Sequence, residues 1–286
     1  MTAHCSPGAR GPEGVKPLRT RQRALPVSRY DFRTPRLYVE GALKAGAEIP
    51  LNKPQAHYLR NVLRLKPGDG VLVFNGRDGE WKASLPEGKR AALTVGEQAR
   101  PQTTPLDLHY LFAPLKHQRL DYVVQKAVEL GVSRLQPVTT HHTQVSRVNL
   151  ERMRANAVEA AEQCGVLSIP DVGAPVTFAR MLAARKPDRL LVFCDEDAAV
   201  KDPIATLADV RGAPSAMLPL TMTSAAGPQP LALLIGPEGG FSEEERAALL
   251  KQTNIVRLSL GPRILRADTA AVAALALIQA VLGDWR

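Results

Sequence analysis

The chain has 286 residues, 45% of them hydrophobic and 5% aromatic, which is enough to bury a sizeable core in one or two domains. Its 37 lysines and arginines exceed its 28 acids and give a formal net charge of +9, a balance that favours an anionic partner. The three cysteines, Cys5, Cys164 and Cys194, are odd in number and lack CxxC spacing, which argues against a disulfide framework or zinc site and indicates reduced intracellular thiols.

Residues 1–29 are rich in Pro, Gly and Arg and have no periodic apolar pattern, which predicts a disordered basic tail. Scarce acids and frequent arginines are also typical of a mitochondrial transit peptide, but the prolines and glycines would interrupt its amphipathic helix. A solvated tail, or a start assigned too far upstream, is the preferred interpretation. No secretory signal or membrane segment is predicted.

Residues 30–105 have the pattern of a small β-rich domain. Short strands are predicted at 36–39 and 48–51, and Asn75-Gly76 between 71–74 and 80–85 is a strong hairpin signal.

A helix is predicted to open at Asn52 and Pro54 within this domain. Its apolar side would carry Leu59, Val62 and Leu63. Arg60 and Arg64 are four residues apart, so they would lie together on its other side, either as a solvated face or as a pair of phosphate contacts.

The net positive charge lies in the N-terminal third of the chain. Residues 1–105 hold 18 basic and 9 acidic residues, whereas residues 106–286 hold 19 of each. Phosphate attraction supplies most sequence-independent affinity for nucleic acid, so a basic module joined to a neutral one is typical of a nucleic-acid enzyme.

From residue 106 onward, strands alternate with helices, which predicts a parallel sheet. The predicted strands are 106–112, 134–138 and 190–194, and the predicted helices are 119–130, ended by Gly131, and 150–163. Residues 198–230, rich in Pro, Ala, Thr and Ser, are interpreted as a surface loop insertion or a partly disordered segment.

Residues 231–245 form a predicted strand, a glycine loop and a helix start. The apolar run 231–235 is followed by Gly236, Gly239 and Gly240, and Ser242 with Glu245 predicts a capping box. Acidic residues crowd this helix start and would repel a phosphate. Because no P-loop or dinucleotide fingerprint is present either, the loop favours a ligand that is neutral or cationic overall.

Residues 255–282 repeat this pattern. A predicted strand at 255–260 leads through Gly261-Pro262 to a helix from 270 to 282, with Asp268 or Thr269 as its cap. The helix is apolar nearly all round but too short for a bilayer, so a buried core helix is predicted. Ligands bind beyond the carboxyl ends of strands in α/β sheets, so the two glycine loops are expected to form one pocket.

Several separated motifs together resemble one family. They are GPEGGFSEEE (236–245), LGPRILRADTA (260–270), LKHQRLDYVVQKAVELGV (115–132), AAEQCG (160–165) and LRNVLRLKPGD (59–69). Over about residues 36–282 the chain resembles the RsmE-type small-subunit (16S) rRNA uracil-N3 methyltransferases of the SPOUT superfamily. Two departures are Asp268, where glutamate is usual, and Val166-Leu167, where an arginine is usual.

The resemblance implies an α/β fold: a C-terminal SPOUT domain at 106–286, with a parallel sheet and a trefoil knot, preceded by a small β-rich PUA-like RNA-binding domain at 30–105. It further implies S-adenosyl-L-methionine (SAM) as methyl donor, 16S rRNA of the small ribosomal subunit as partner, a homodimer with the active site at the subunit interface, and a cytoplasmic location. No membrane partner and no metal are expected, since His141-His142 lacks any partner at ligand spacing.

Methylation of uridine N3 removes an imide proton and builds negative charge on the base, so a cation and a proton acceptor are needed. Arg266 is the first candidate for the cation and Arg263 the second. Glu238 would either accept the proton or have only a structural role in its loop.

The remaining site residues follow from the same resemblance. Backbone groups of the two glycine loops would hold SAM, namely those of Ile235, Gly236, Gly240, Leu258, Leu260, Gly261, Ile264 and Leu265. Contacts with RNA are expected from Arg60, Arg64, Lys116, Arg119 and Lys126, with an ordinary solvated lysine as the alternative for Lys126.

Three other functions fit parts of the sequence. A SPOUT ribose 2′-O-methyltransferase is disfavoured because those enzymes carry an asparagine-containing segment where this chain has LGPRILRADTA. A Rossmann methyltransferase is disfavoured because no glycine fingerprint follows the first strand. A non-catalytic RNA-binding or ribosome-assembly protein is disfavoured by the intact residues Gly236, Gly240, Gly261 and Arg266.

Overall fold

Two β-sheets organise the part of the chain that the computed structural model describes, residues 33–88, 91–145, 147–199, 201–212 and 229–285. The first is a curled five-stranded sheet with the order β1-β3-β4-β5-β2, in which only β1 and β3 pair in parallel. Its strands are β1 (Arg36–Tyr38), β2 (Glu48–Pro50), β3 (Gly70–Phe74), β4 (Glu80–Ser84) and β5 (Ala92–Arg100). The predicted tail at 1–29 lies outside the described residues.

The predicted hairpin joins β3 to β4. Phe74 pairs with Glu80, so residues 75–79 form its loop. The buried Asn75 side chain organises this loop by accepting hydrogen bonds from the backbone N–H groups of Arg77 and Asp78, at 3.0 and 2.9 Å. The sequence signal for the turn is therefore confirmed, although the loop is longer than the two-residue Asn-Gly turn.

The helix predicted at Asn52 is confirmed at its start, but its regular α-helical part ends at His57. Asn52 and Gln55 form a capping box for α1 (Lys53–His57). A π-helical turn, Tyr58–Val62, follows, with the Leu63 N–H donating to the Tyr58 carbonyl at 2.9 Å.

This π-helical turn changes which side chains share a face. Leu59 is buried as expected, but Val62, predicted on the apolar side, is 58% exposed. Arg64 lies past the turn with a left-handed φ of 55°, so Arg60 and Arg64 do not share a face of one helix.

The second sheet is parallel, with the order β12-β10-β11-β6-β7-β8, and β9 pairs with β7. Its strands are β6 (Leu108–Phe112), β7 (Arg134–Thr139), β8 (Asp171–Val172), β9 (Val176–Thr177), β10 (Leu190–Cys194), β11 (Leu231–Ile235) and β12 (Ile255–Leu258). The helices are α2 (His117–Glu129), α3 (Leu150–Cys164), α4 (Phe178–Ala183), α5 (Pro203–Gly212), α6 (Glu243–Leu250) and α7 (Ala267–Val281). All five residues of β11 are buried, as expected for a strand inside a parallel sheet.

The C-terminal helix α7 is buried in the main core, as its all-round apolar sequence predicts. Its polar residue Gln279 is fully buried, donates to the Leu130 carbonyl at 2.6 Å and accepts from the Asp284 N–H at 3.1 Å. Within the described ranges, no helix is long and apolar enough to cross a membrane.

Two boundaries predicted in this half are wrong. The helix α7 starts at Ala267, and its N-cap is Arg266 without a side-chain cap, rather than Asp268 or Thr269. The interpretation of 198–230 as a loop insertion is wrong for α5, whose Leu207 is fully buried in the main core. Asp202 starts α5 by accepting from the Ile204 N–H at 2.8 Å, and residues 213–228 lie outside the described residues.

The end of α3 joins the small sheet to the large one. Arg36 of β1 is buried, donates from Nε to Glu80 at 2.7 Å and from Nη1 to the Glu162 carbonyl at 3.0 Å. Arg100 donates to Glu80 at 2.6 Å and to the Gly165 carbonyl at 3.0 Å. Two arginines of the small sheet therefore donate hydrogen bonds to carbonyl groups of the segment 160–165.

Candidate active site

Three neighbouring strands, β10, β11 and β12, end at one open cavity of about 390 Å³. The structure brings both predicted glycine loops to this cavity, as expected for the carboxyl ends of parallel strands. All eight residues predicted to hold a cofactor line it: Ile235, Gly236, Gly240, Leu258, Leu260, Gly261, Ile264 and Leu265.

The loop after β11 is tightly shaped around its glycines. Gly240 has a left-handed φ of 69°, and a Cβ at this position would overlap the Glu196 carboxylate. A Cβ at Gly236 would lie 3.1 Å from the Phe241 ring. The predicted capping box is confirmed, because Ser242 accepts from the Glu245 N–H at 3.2 Å and its own N–H donates to Glu245 at 3.1 Å. The backbone of the loop is thus fixed at the wall of the cavity.

The predicted catalytic side chains lie at the rim. Arg263 lines the cavity and is exposed. Arg266 is exposed at the N-cap of α7 and is not among the lining residues, although its neighbours Leu265 and Ala267 are. Glu238 lines the cavity, and its carboxylate forms an ion pair with Arg119 at 3.0 Å.

The residues predicted to contact RNA are dispersed. Arg119 lies at the cavity rim, where it contacts Glu238 and lies 4.0 Å from Asp268. Lys116 is exposed at the N-cap of α2. Lys126, later in α2, is held by Glu129 at 2.7 Å. Arg60 and Arg64 belong to the small sheet's connecting segment.

A third loop of the cavity was missed by sequence reasoning. Cys194, Asp195 and Glu196, at the end of β10, line the same space as the glycine loops. Burial raises the pKa of the Cys194 thiol to about 12, so this thiol stays protonated and is no nucleophile. The signal was the acidic run directly after a buried strand, where α/β sheets place ligand contacts.

The third loop is anchored by a buried ion-pair network. The Asp195 side chain is fully buried between Arg257, at 2.6 Å, and Arg246, at 3.2 Å. Arg246 also reaches Asp197 at 2.8 Å and lies 3.6 Å from Glu196. Because two guanidinium groups compensate the buried carboxylate, the end of β10 is held in one arrangement.

The loop after β7 supports the glycine loop from the other side. The His142 Nδ1 lies 3.2 Å from the Gly240 carbonyl, and the His141 N–H donates to Glu245 at 2.8 Å. These histidines were predicted to be loop residues without a metal. In the part of the chain that the structure describes, no three His, Cys, Asp or Glu side chains come together to hold a metal ion.

Two family profiles match the chain. The RNA methyltransferase domain matches residues 102–279, and the RNA methyltransferase PUA domain matches residues 51–95. The first match includes all three loops of the cavity, and the second lies within the small sheet and its connecting helix.

Two related proteins are both named ribosomal RNA small subunit methyltransferase E. The protein from Rickettsia conorii is 30% identical over 85% of this chain and 94% of its own length. The protein from Synechocystis is 33% identical over 82% of this chain and 74% of its own length.

Two solved structures have a similar fold and contain SAM. The ribosomal RNA small subunit methyltransferase E of Neisseria gonorrhoeae, bound to SAM, aligns with a TM-score of 0.73 and 25% identity over 88% of this chain and all of its own. A methyltransferase of Legionella pneumophila, in complex with SAM, aligns with a TM-score of 0.70 and 31% identity over 87% of this chain and 98% of its own.

Proposed function

The chain belongs to the family of RsmE-type small-subunit rRNA methyltransferases, and on that premise we propose that it methylates N3 of a uridine in 16S rRNA with SAM as donor. The observation that carries this proposal is the single cavity formed where the GPEGG and LGPRILR segments follow β11 and β12, the two neighbours of β10 in one parallel sheet. Both segments bear the motifs of the family, and the cavity is where an α/β sheet binds its ligand.

The cavity fits SAM in size and chemistry. Its volume of about 390 Å³ lies within the range of about 300–1,000 Å³ found for small-molecule sites. The glycines let the backbone approach a ligand closely, and the carboxylates Glu196 and Glu238 among the lining residues would repel a phosphate. When bound, SAM supplies the methyl group, and the eight lining residues named above hold it.

We assign the chemistry of the target base to the rim. Deprotonation of N3 places negative charge on the uracil, and Arg266, with Arg263 second, stabilises that charge. Glu238 accepts the N3 proton, and Arg119 orients its carboxylate through their ion pair. Because N3 lies on the Watson–Crick edge, the uridine is unpaired or flipped when it reaches the rim.

The two parts of the chain have different roles, RNA binding and methyl transfer. Residues 30–105 hold rRNA, with Arg60 and Arg64 as phosphate contacts, and residues 106–286 carry the methyltransferase site. Lys116 and Arg119 extend the RNA path to the cavity. Lys126 contributes less than these residues because Glu129 already holds its ammonium group. The protein acts in the cytoplasm, where small ribosomal subunits are.

We also infer a homodimer with its interface beside the cavity and a trefoil knot in the C-terminal half, both from family membership. Ile264, a large apolar side chain between the two rim arginines, is 92% exposed and offers a position at which to test the interface.

The direct test is methyl transfer in vitro from labelled SAM to small subunits that lack the modification. We expect the label in N3-methyluridine after digestion to nucleosides. Label in a 2′-O-methylated nucleoside would instead support the ribose methyltransferase, and absence of transfer would support the binding-only protein.

The same assay separates the two roles of Glu238. As proton acceptor, E238Q loses about 10²- to 10⁴-fold in kcat while SAM affinity is kept. If Glu238 is only structural, E238Q and R119Q will lower SAM affinity together and leave kcat unchanged at saturating SAM.

A further inference from the structure

The third loop of the cavity brings a carboxylate to the cofactor space. Glu196 lies two residues beyond the end of β10, and β10 pairs in parallel with β11, the strand that precedes the glycine loop. Its side chain is 44% exposed and lines the cavity together with the eight residues assigned to SAM.

The position of the Glu196 carboxylate is set from two sides. One side is Gly240, where a Cβ would overlap the Glu196 carboxylate, so a side chain at residue 240 would displace it. The other side is Arg246, whose Nη2 lies 3.6 Å from the Glu196 Oε1. Glu196 therefore reaches across the glycine loop and is held there by an arginine that is itself nearly buried.

A carboxylate in this place can only accept hydrogen bonds. In SAM the groups that donate are the ribose hydroxyls, the adenine amino group and the α-ammonium group, whereas the sulfonium donates none. Two oxygens of one carboxylate match the two neighbouring hydroxyls of a ribose. In dinucleotide-binding α/β folds, a carboxylate near a glycine loop likewise binds a ribose hydroxyl.

Resting on the proposed function, we propose that Glu196 binds the ribose hydroxyls of SAM and that Arg246 is its positioning residue. Arg246 acts through the buried Asp195 and through Glu196 itself, so the loop at the end of β10 is fixed before the cofactor arrives. Because the carboxylate is already ordered in the free protein, no side-chain entropy is lost when SAM binds, and less of the binding free energy is offset. Glu196 thus selects a ligand with an intact ribose.

Calorimetry with three ligands tests the contact without any measurement of activity. SAM, S-adenosylhomocysteine and methylthioadenosine share the adenine and ribose, but only SAM carries the sulfonium and only methylthioadenosine lacks the amino-acid part. We expect E196Q to weaken all three by the same factor, about 10- to 100-fold, as for hydrogen bonds to a charged group. Equal weakening is the signature of a contact to the shared nucleoside.

The matched control is E243Q. Glu243 contacts the same arginine, at 2.6 Å from Arg246 Nη1, but does not line the cavity, so E243Q should bind all three ligands within about twofold of the wild type. Periodate-cleaved methylthioadenosine keeps the adenine but lacks the ribose diol, so it distinguishes a contact with the ribose from a contact with the adenine. If Glu196 binds the ribose, E196Q and the wild type should bind this compound equally.

Three results would overturn the inference. E196Q could weaken SAM alone, which would make the contact a response to the sulfonium charge. E196Q could leave the affinity for methylthioadenosine unchanged, which would place the contact at the amino-acid end of SAM. It could also leave the affinities for all three ligands unchanged, which would mean that Glu196 makes no contact with them. Failure of the wild-type protein to bind any of them would instead overturn the proposed function on which the inference rests.

Discussion

At the scale of single residues, exposed charges of both signs stand around the cavity. Glu196 and Glu238 line it, and of the two arginines that follow β12, Arg263 lines it and Arg266 lies just outside its lining. The carboxylates would repel a phosphate, and the arginines suit a base that becomes anionic.

The charge role of Arg266 predicts a loss of rate rather than of cofactor binding. R266A should lower kcat by about 10²- to 10³-fold, the effect of removing one donor that stabilises a developing anion, with SAM affinity nearly unchanged. R266K should lose less because it keeps the charge. Single-turnover methylation with calorimetry of SAM measures both quantities.

The control for this variant is R180A, which removes an exposed arginine from α4 that does not line the cavity. Its rate should equal that of the wild type. If R266A also keeps the wild-type rate, the stabilising cation is another residue.

A second residue-scale prediction concerns His109 on β6. Burial, helped by Arg189, lowers the pKa of His109 to about 4, despite Asp107 at 3.2 Å. In the unfolded chain the histidine pKa is about 6.5, so between the two pKa values the unfolded chain binds one more proton at this residue than the folded protein does. The free energy of unfolding therefore falls as the pH falls from 7.

Urea denaturation at pH 7 and pH 4.5 measures this effect. Between the two, the wild type should lose roughly 2 to 3 kcal/mol of unfolding free energy more than H109Q, whose amide does not titrate. Equal losses in the two proteins would show that His109 is protonated in the folded state.

At the scale of elements, continuous apolar runs predicted structure well, and segments with neither such a run nor a regular period did not. The strands β10 and β11 have the bounds that the sequence indicated, since each is a continuous apolar run inside a parallel sheet. The helix α5 was missed because the surrounding composition of Pro, Ala, Thr and Ser hid its Asp202-Pro203 start. The π-helical turn at Tyr58–Val62 has no periodic signal, because periodicity arguments assume 3.6 residues per turn.

The prediction at this scale concerns how the docking of the helix α7 contributes to the free energy of unfolding. Gln279 ties α7 to the end of α2 through the Leu130 carbonyl and also satisfies the Asp284 N–H. Q279M keeps the volume but removes both hydrogen bonds of this fully buried side chain, so it should lower the free energy of unfolding by about 1–3 kcal/mol. Chemical denaturation followed by circular dichroism gives the value.

Gln252 offers the comparison, because its amide reaches only the Ala248 carbonyl of its own helix, at 3.3 Å. Q252M should change stability by less than about 0.5 kcal/mol. Equal effects of the two substitutions would mean that the buried bonds of Gln279 add nothing to the docking of α7.

At the scale of the whole molecule, the sequence predicted the two parts of the chain but not how they meet. The glycine loops were recognised because their residues are adjacent in sequence. The junction of Arg36 with the Glu162 carbonyl, and the approach of Glu196 to Gly240, join residues far apart in the chain, and no local pattern encodes such contacts. The third loop of the cavity was missed because its acidic run, although a local signal, does not show that the loop lies beside Gly240.

The proposed dimer is tested at Ile264. Light scattering should give twice the chain mass for the wild type, and I264E should shift the protein to monomers, because a charge cannot be buried in an apolar interface without a partner. I204E, at an apolar residue of α5 that is 54% exposed, should remain dimeric. A monomeric wild type would contradict the dimer, and a dimeric I264E would contradict an interface at Ile264.

Mass-spectrometric nucleoside analysis of small-subunit rRNA, from cells with and without this protein, measures methylation of uridine N3 where it takes place. In cells without the protein we expect selective loss of N3-methyluridine, restored by the wild-type gene and not by R266A. An unchanged amount of N3-methyluridine in cells that lack the protein and any redundant enzyme would contradict the proposed function.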